Sequence, residues 1–348
     1  MRLLLIYLFL SGCSTNYLKY DKEDKLRQNS EFEKEVVVKE IPEIRLGDAL
    51  AKATLSPSAA AEVAHVPVKK IPEVKPKKKV NAAKVKTTTV DNKPKAREPD
   101  VENAEGFDFG SRRPQVDPFV VGEEVVHSVS YFGAEAGKLT LQVRPFVEVN
   151  NRKSYNFYMG LKTSSLFSKF YSVDDYVETY IDFEELVPHV FKLSARESGK
   201  LVSANSFFNN KTLKATFWEK KYTEKNGEEE KKLAWDILSY SQNAFSGIFY
   251  MRVFKWDIGK ENSFRVADDE KNIAFKATAM EKVKLDTDAG RFNAIKIKAT
   301  VLTRGALTQA GDFYIWISDD DRKIILRLEA EIKIGKIVSQ IEEYKSGL

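Results

Sequence analysis

The chain has 348 residues, with 56 Lys+Arg against 51 Asp+Glu and a formal net charge of +5. One cysteine, Cys13, and three histidines exclude an intramolecular disulfide framework, a Cys-rich zinc site and an iron–sulfur cluster. At 43% hydrophobic and 31% charged, the composition is that of a soluble globular chain with a polar segment attached.

Met1-Arg2 is a minimal basic start, and Leu3 to Leu10 is an unbroken apolar run. Eight residues cannot cross ~30 Å of hydrocarbon, which needs ~20. They fit the apolar region of an export signal. Leu10-Ser11-Gly12-Cys13 comes next and resembles the bacterial lipobox. That resemblance implies a signal peptide over 1–12, cleavage before Cys13, and a diacylglycerol on the Cys13 thiol. Ser14 stands after the cysteine where an Asp would retain a sorted lipoprotein at the inner membrane. The resemblance therefore implies an outer membrane lipoprotein, facing the periplasm or the cell surface. Two or three acyl chains anchor stably, since each buried CH₂ contributes ~0.8 kcal/mol.

Residues 13–116 read as a lipid-anchored, mostly disordered tether. Thr15 to Gln28 is polar and charged. Glu31 to Arg45 mixes Val and Ile with Glu and Lys and fits a short helix or strand. Ala49 to Ala64 is Ala-rich and fits a weak helix. Between His65 and Arg97 stand eleven Lys/Arg against Glu73 and Asp91, with several Pro and no aromatic residue. Such a stretch cannot bury enough apolar area to offset its ordering entropy. Without interleaved aromatics it has no platform for base stacking, which argues against a nucleic-acid partner. It reads as a spacer, and its charge would let it hold anionic cell-wall or lipopolysaccharide groups.

From 117 to 348 the text alternates with period two. Val125, His127, Val129 and Tyr131 share one face, and Leu139, Leu141 and Val143 repeat it beyond a Gly133–Gly137 turn. Ile273 to Ala279, Ile295 to Val301, Phe313 to Ile317 and Ile324 to Ile334 obey the same rule. Charged residues between them mean one buried and one wet face. Turn signals at Asn150-Asn151, Ser198-Gly199, Asn226-Gly227 and Asp288-Ala289-Gly290 separate about eleven to thirteen antiparallel strands. Ser165 to Phe170 fits a short helical turn. Asp236 to Phe254 has spacing closer to helical, with Asp236 as N-cap, and would plug one side of a strongly curved sheet. The predicted fold is all-β and mainly antiparallel: a curved, partly closed barrel or roll with one or two short helices.

A set of local sequences recurs here in a fixed order. It comprises Gly122-Glu123, Tyr131-Phe132-Gly133 through Ala136-Gly137, and Tyr171 to Asp175. Pro188, Asp236 to Ser239, Arg252 with Gly259, Ala289 to Phe292 and Trp316 to Asp320 complete it. Over about Phe119 to Gln340 this resembles the exported bacterial family catalogued as domain of unknown function 3108. The resemblance implies an envelope location and a β-rich fold, and no established activity.

Catalytic chemistry has few places to sit. Asp174 and Glu178 would share one face of a strand, with Asp175 on the other. Asp286 to Ile297 fails the calcium-loop pattern, since positions six and twelve hold Arg291 and Ile297. Asp319-Asp320-Asp321 reads as turn chemistry. His127 reads as a satisfied core histidine, and His189 has no ligand at metal spacing. No nucleophile elbow, phosphate loop or zincin motif is present, and nothing calls for a cofactor. Aromatics crowd the middle of the domain, among them Tyr155, Phe157, Tyr180, Phe207, Phe208 and Trp218. They read as sheet core, or in part as the lining of an apolar groove for a lipid, glycan or peptide. The overall expectation is a non-enzymatic envelope lipoprotein. Its β-domain would hold an apolar, glycan or protein partner at a distance from the membrane. The alternative is a cell-wall glycan or lipid hydrolase using carboxylates near Asp174.

Overall fold

A computed structural model describes residues 17–20, 22–41, 114, 117–303, 306–307, 313–331 and 335–347. Cys13 and the Lys/Pro-rich stretch lie outside the described residues. The strands are β1 (Val38–Glu40), β2 (Glu123–Tyr131), β3 (Ala134–Val149), β4 (Arg152–Thr163), β5 (Val173–Asp182), β6 (Pro188–Glu197), β7 (Leu201–Asn209) and β8 (Lys214–Thr223). They continue with β9 (Gly227–Asp236), β10 (Glu261–Asp268), β11 (Lys271–Thr287), β12 (Gly290–Thr303), β13 (Ala306–Leu307), β14 (Phe313–Ser318), β15 (Ile325–Glu331) and β16 (Lys336–Ser346). Three short helices are described: α1 (Glu23–Arg27), α2 (Ser30–Glu35) and α3 (Ser246–Tyr250).

All strands join one antiparallel sheet, in the order β10-β11-β12-β14-β15-β16-β2-β3-β4-β5-β6-β7-β8-β9, with β1 beside β3 and β13 beside β12. Leaving aside β1 and β13, consecutive strands pair from β2 to β9 and from β10 to β16, and β16 returns to pair with β2. No ladder joins β9 to β10, so the sheet is curved without closing. The chain after β9 fills the seam. The Gln242 amide donates to the Arg265 carbonyl at 2.8 Å, and the Ala267 amide donates to the Gln242 carbonyl at 2.8 Å. Lys231 meets Asp269 across the gap at 3.3 Å. The β10 edge is thereby partly covered, while β9 stays exposed over Glu228–Lys232.

The helix read from Asp236 to Phe254 is much shorter than its spacing implies. Asp236 ends β9 and pairs with Lys214 at 2.9 Å, so it caps nothing. Only Ser246–Tyr250 is α-helical, continued by a 3-10 turn over Met251–Val253. The segment is buried on nearly every side, so it carries no amphipathic stripe. It does plug the sheet's concave face. The Phe249 ring stacks on Phe157 at 4.2 Å, and Tyr250 meets Phe254 and Phe264 edge-on at 5.3 Å. Tyr155, Ile297, Ile317 and Leu326 complete this core. The 3-10 turn Phe167–Lys169 falls within the helical turn read at 165–170.

The opposite face carries the largest correction. Residues 17–20 and 22–41, read within a mostly disordered tether, are folded onto it, with α2 and β1 falling where Glu31 to Arg45 was read as a short helix or strand. Asn29 caps α2 by accepting the Phe32 amide at 3.1 Å. Phe32 then sits edge-on to Trp218, within a cluster of Val36, Val147, Val149, Tyr180 and Val190. Leu18 and Leu26 cover Leu201, and Tyr20 stacks on Tyr222 at 3.9 Å. Glu23 binds Arg196 at 2.6 Å, and β1 extends the sheet beside β3. Burying such side chains stabilises by ~1.5–3 kcal/mol each, enough to fix a strap that short helices could not hold alone.

The strap also sets how residues 42–116 connect to the fold. The Ile41 amide bonds the Phe146 carbonyl at 3.4 Å, and the Phe146 ring lies 5.1 Å from that of Tyr155. The Tyr155 hydroxyl donates to Asp117. The chain from 42 to 116 therefore leaves and rejoins the same folded body at neighbouring points. It connects two parts of one fold and does not separate that fold from Cys13, which precedes Tyr17 by four residues.

Candidate functional site

The aromatics of the central strands split between two interiors. Tyr155 and Phe157 face the plug, while Tyr180, Phe207 and Trp218 lie under the strap. Phe208 packs with Ile237 and Val177 at the seam. The chain's own segments thus occupy the surfaces on which the sequence placed an apolar groove. On β4, Tyr155 and Phe157 face the plug, whereas Tyr158 on the other face packs with Tyr176 and Arg144.

The carboxylates divide as alternation requires. Asp174 and Glu178 share the strap-side face, and each meets a cation: Asp174 meets Lys162 at 3.5 Å and Glu178 meets Arg144 at 2.7 Å. Asp175 points the other way and is 4% exposed. Its Oδ1 accepts the Arg196 amide at 2.9 Å, and its Oδ2 has no partner. Burial, then the nearby Glu197 charge, pushes its pKa up to about 7. Tyr171 donates to Glu197, and burial followed by that carboxylate drives the phenol's pKa up. Packed this tightly, Asp175 has no open cleft in which a glycan could meet it.

His127 is wholly buried and satisfied at both nitrogens. Nε2 lies 3.0 Å from the Ile325 carbonyl, which only accepts, so Nε2 carries the proton. Nδ1 accepts from the Ser339 hydroxyl at 3.0 Å. Burial holds its pKa down at about 4. His189 lies 3.0 Å from Asp182, which Arg152 also binds at 2.5 Å. Burial opposes ionisation of Asp182, yet these partners hold its pKa below the usual carboxylate range. Among the described residues no group of three or more His, Cys, Asp or Glu is placed to hold a metal. No helix among them is long and apolar enough to cross a membrane.

Among the described residues an open concavity of about 520 Å³ lies on the outer face of β15, β16 and β2. Ser128, Ser130 and Gln340 form its floor, with Arg327 and Lys336 to one side. Asp288, from the tip of the long β11–β12 hairpin, and Phe132, from the β2–β3 turn, complete its lining. Arg327 donates to Gln340 at 2.7 Å and shares Glu329 with Lys336, so its guanidinium is held in place. The Phe132 ring is 70% exposed and lies against the β15–β16 turn at Gly335. A Cβ there would come within 2.9 Å of that ring, and the backbone φ of +87° also demands glycine. Sequence reading missed this site, because its residues come from three strands and a hairpin tip far apart in the chain. Phe132 alone signalled it, as an aromatic residue in a turn.

The architecture is that of a curved, barrel-like antiparallel β protein. The chain belongs to the family of proteins of unknown function DUF3108, whose model matches residues 126–342. Solved structures to which the chain is similar include a β-barrel-like protein of domain of unknown function DUF1849 from Brucella abortus. It is 9% identical, covers 65% of this chain and 98% of its own, and has a TM-score of 0.41. A candidate lipoprotein from Parabacteroides distasonis is 12% identical over 67% of this chain and 98% of its own, at TM-score 0.29. A candidate exported protein of YmcC-like fold from Bacteroides fragilis is 10% identical over 65% and 96%, at TM-score 0.29. None of the curated proteins compared with the chain matches it.

Proposed function

We propose that this protein is a cell-envelope lipoprotein, anchored through Cys13 to the outer membrane, whose β-domain has a non-enzymatic binding role. The ligand class that fits its groove is an anionic glycan of the envelope. One observation carries this reading: the groove sets an exposed Phe132 ring beside the fixed planar donors of Arg327 and Gln340 and the hydroxyls of Ser128 and Ser130. An aromatic face takes the apolar side of a sugar ring, and planar side chains pair with its hydroxyls. Arg327 and Lys336 share Glu329, so that wall keeps one net positive charge for a carboxylate or phosphate on the glycan, while Asp288 adds one negative charge from the hairpin tip. The Cys13 anchor is supported by the order of charge, apolar run, small residues and cysteine.

The test is calorimetric titration of the purified mature chain with oligosaccharides released from peptidoglycan and lipopolysaccharide. Saturable binding, weakened at least about tenfold by Arg327→Ala, is the expected result; tenfold corresponds to about 1.4 kcal/mol. Absence of heat with both ligand sets, or equal binding by the variant, would sink the groove reading.

A further inference from the structure

We infer that one end of the sheet faces the bilayer and rests on it through three exposed apolar side chains. This deepens the reading above and rests on acylation of Cys13. The antiparallel order puts the β2–β3 turn, the β4–β5 connection and the β6–β7 turn at the same end. Hydrogen bonds tie these turns together. The Ser164 amide donates to the Ala136 carbonyl at 2.9 Å, and the Ser198 amide to the Ser172 carbonyl at 3.0 Å.

The strap enters at this end, where the Leu18 amide donates to the Glu197 carbonyl at 3.1 Å. Leu18 lies five residue steps beyond Cys13, which span at most about 18 Å when fully extended. An acylated Cys13 therefore keeps this end within reach of the headgroups. The same end exposes large apolar side chains: Phe132 at 70%, Leu166 at 55% and Phe170 at 73%. These are half of the six large apolar residues that stand exposed among the described residues. Isolated exposed apolar residues need no explanation, but three at the anchored end do. Lys169 lies between Leu166 and Phe170 in sequence, and Lys162 and Lys200 stand nearby. Asp174 and Glu197 partly neutralise the latter two. The apolar trio thus supplies most of the contact, and the lysines favour anionic lipid.

The occupant is a lipid surface. Phe132 also borders the glycan groove, so its ring meets lipid in the seated domain and a sugar only when that end is lifted off the bilayer.

The full acylated chain, reconstituted in phosphatidylethanolamine/phosphatidylglycerol vesicles, tests this directly. Cys13 is the one cysteine and acylation consumes it, so Phe170→Cys accepts a single environment-sensitive fluorophore. Lys211→Cys labels an exposed turn at the opposite end as the control. The inference expects at least about a twofold rise in emission at 170, quenched by brominated lipid, with no change at 211. An equal response at both positions, in a sample whose intact mass shows the acyl chains, overturns the orientation and leaves the anchor standing. A mass without acyl chains overturns the anchor instead. The surface is then judged by flotation of the unlabelled chain with the same vesicles. Flotation lost in Phe132→Ser/Leu166→Ser/Phe170→Ser supports it, and failure of the wild type to float overturns it.

Discussion

Arg252 and Glu123 form a bidentate ion pair, at 2.6 and 2.9 Å, with side chains only 2% and 3% exposed. The pair joins the 3-10 turn of the plug to the first residue of β2. Two further donors of Arg252 are used: Nε bonds the Arg322 carbonyl at 3.0 Å, and Nη2 bonds that of Pro118 at 2.7 Å. Arg322 adds a second cation to Glu123 at 2.5 Å. A buried pair contributes little net stability, because desolvation opposes the attraction; removing one partner strands the other.

Glu123→Gln is therefore expected to lower stability by about 3–5 kcal/mol, measured by urea denaturation. Arg252→Lys should not restore the wild-type value, since a single ammonium cannot serve the carboxylate and two carbonyls in this planar fork. Glu123→Leu/Arg252→Met should cost less than the two single changes together. A loss under about 1 kcal/mol for Glu123→Gln would refute the clasp.

Two buried groups make opposite contributions to pH dependence. Folded His127 titrates at about 4 against 6.5 in the unfolded chain. Between those values the unfolded state binds more protons, so stability falls as pH falls. Folded Asp175 titrates at about 7 against 3.8 unfolded. There the folded state binds more protons, so stability falls as pH rises. The wild type should thus vary little with pH between about 4 and 6.5 on account of these two groups. His127→Gln should unmask a decline toward pH 7, and Asp175→Asn a decline toward pH 4, each on the order of 2–3 kcal/mol. Chemical denaturation of both variants across that range is the check. Parallel curves for wild type and variants would refute it.

The alternation that revealed the strands is legible because each strand has one wet face and its neighbour's burial does not matter. Val125, Leu141 and Ile297 could be placed on a buried face from sequence alone. Both buried positions in Ile325-Leu326 could not, because the register shifts between Trp316 and Ile317 and turns an extra residue inward. The strap was illegible for a different reason. Its apolar residues, Leu18, Leu26, Phe32 and Val36, are sparse and irregular among charges, and their partners lie more than a hundred positions away. The groove shares this property: nothing in the sequence brings Asp288 to Ser128. The Glu123–Arg252 clasp was visible only as two residues of a family pattern, without a reason for either.

Phe32 holds the strap at its centre, under Lys192 and beside Trp218. Phe32→Ala should cost about 3 kcal/mol, the lower end for a large aromatic side chain. The loss should be local. Amide exchange over residues 22–41 should accelerate, while the β2–β5 amides keep their protection. Uniform acceleration through both would show that strap and sheet unfold as one unit.

The connection from 42 to 116 tests the topology itself. Its ends are fixed at Ile41 and Asp117, so folding must close a loop of 75 residues. Closure entropy grows by about 0.6 kcal/mol per doubling of loop length. Deleting residues 60–113 leaves 21, a shortening of nearly two doublings, and should raise stability by about 1 kcal/mol. Were this stretch a tether between membrane and domain, its length would not enter the folding equilibrium at all. The shortened chain would then denature at the same urea concentration as the full one. The gain should also vanish in Phe32→Ala once the strap is open, because an unfastened end no longer closes a loop. Four urea curves, for the two loop lengths with and without Phe32, separate these cases.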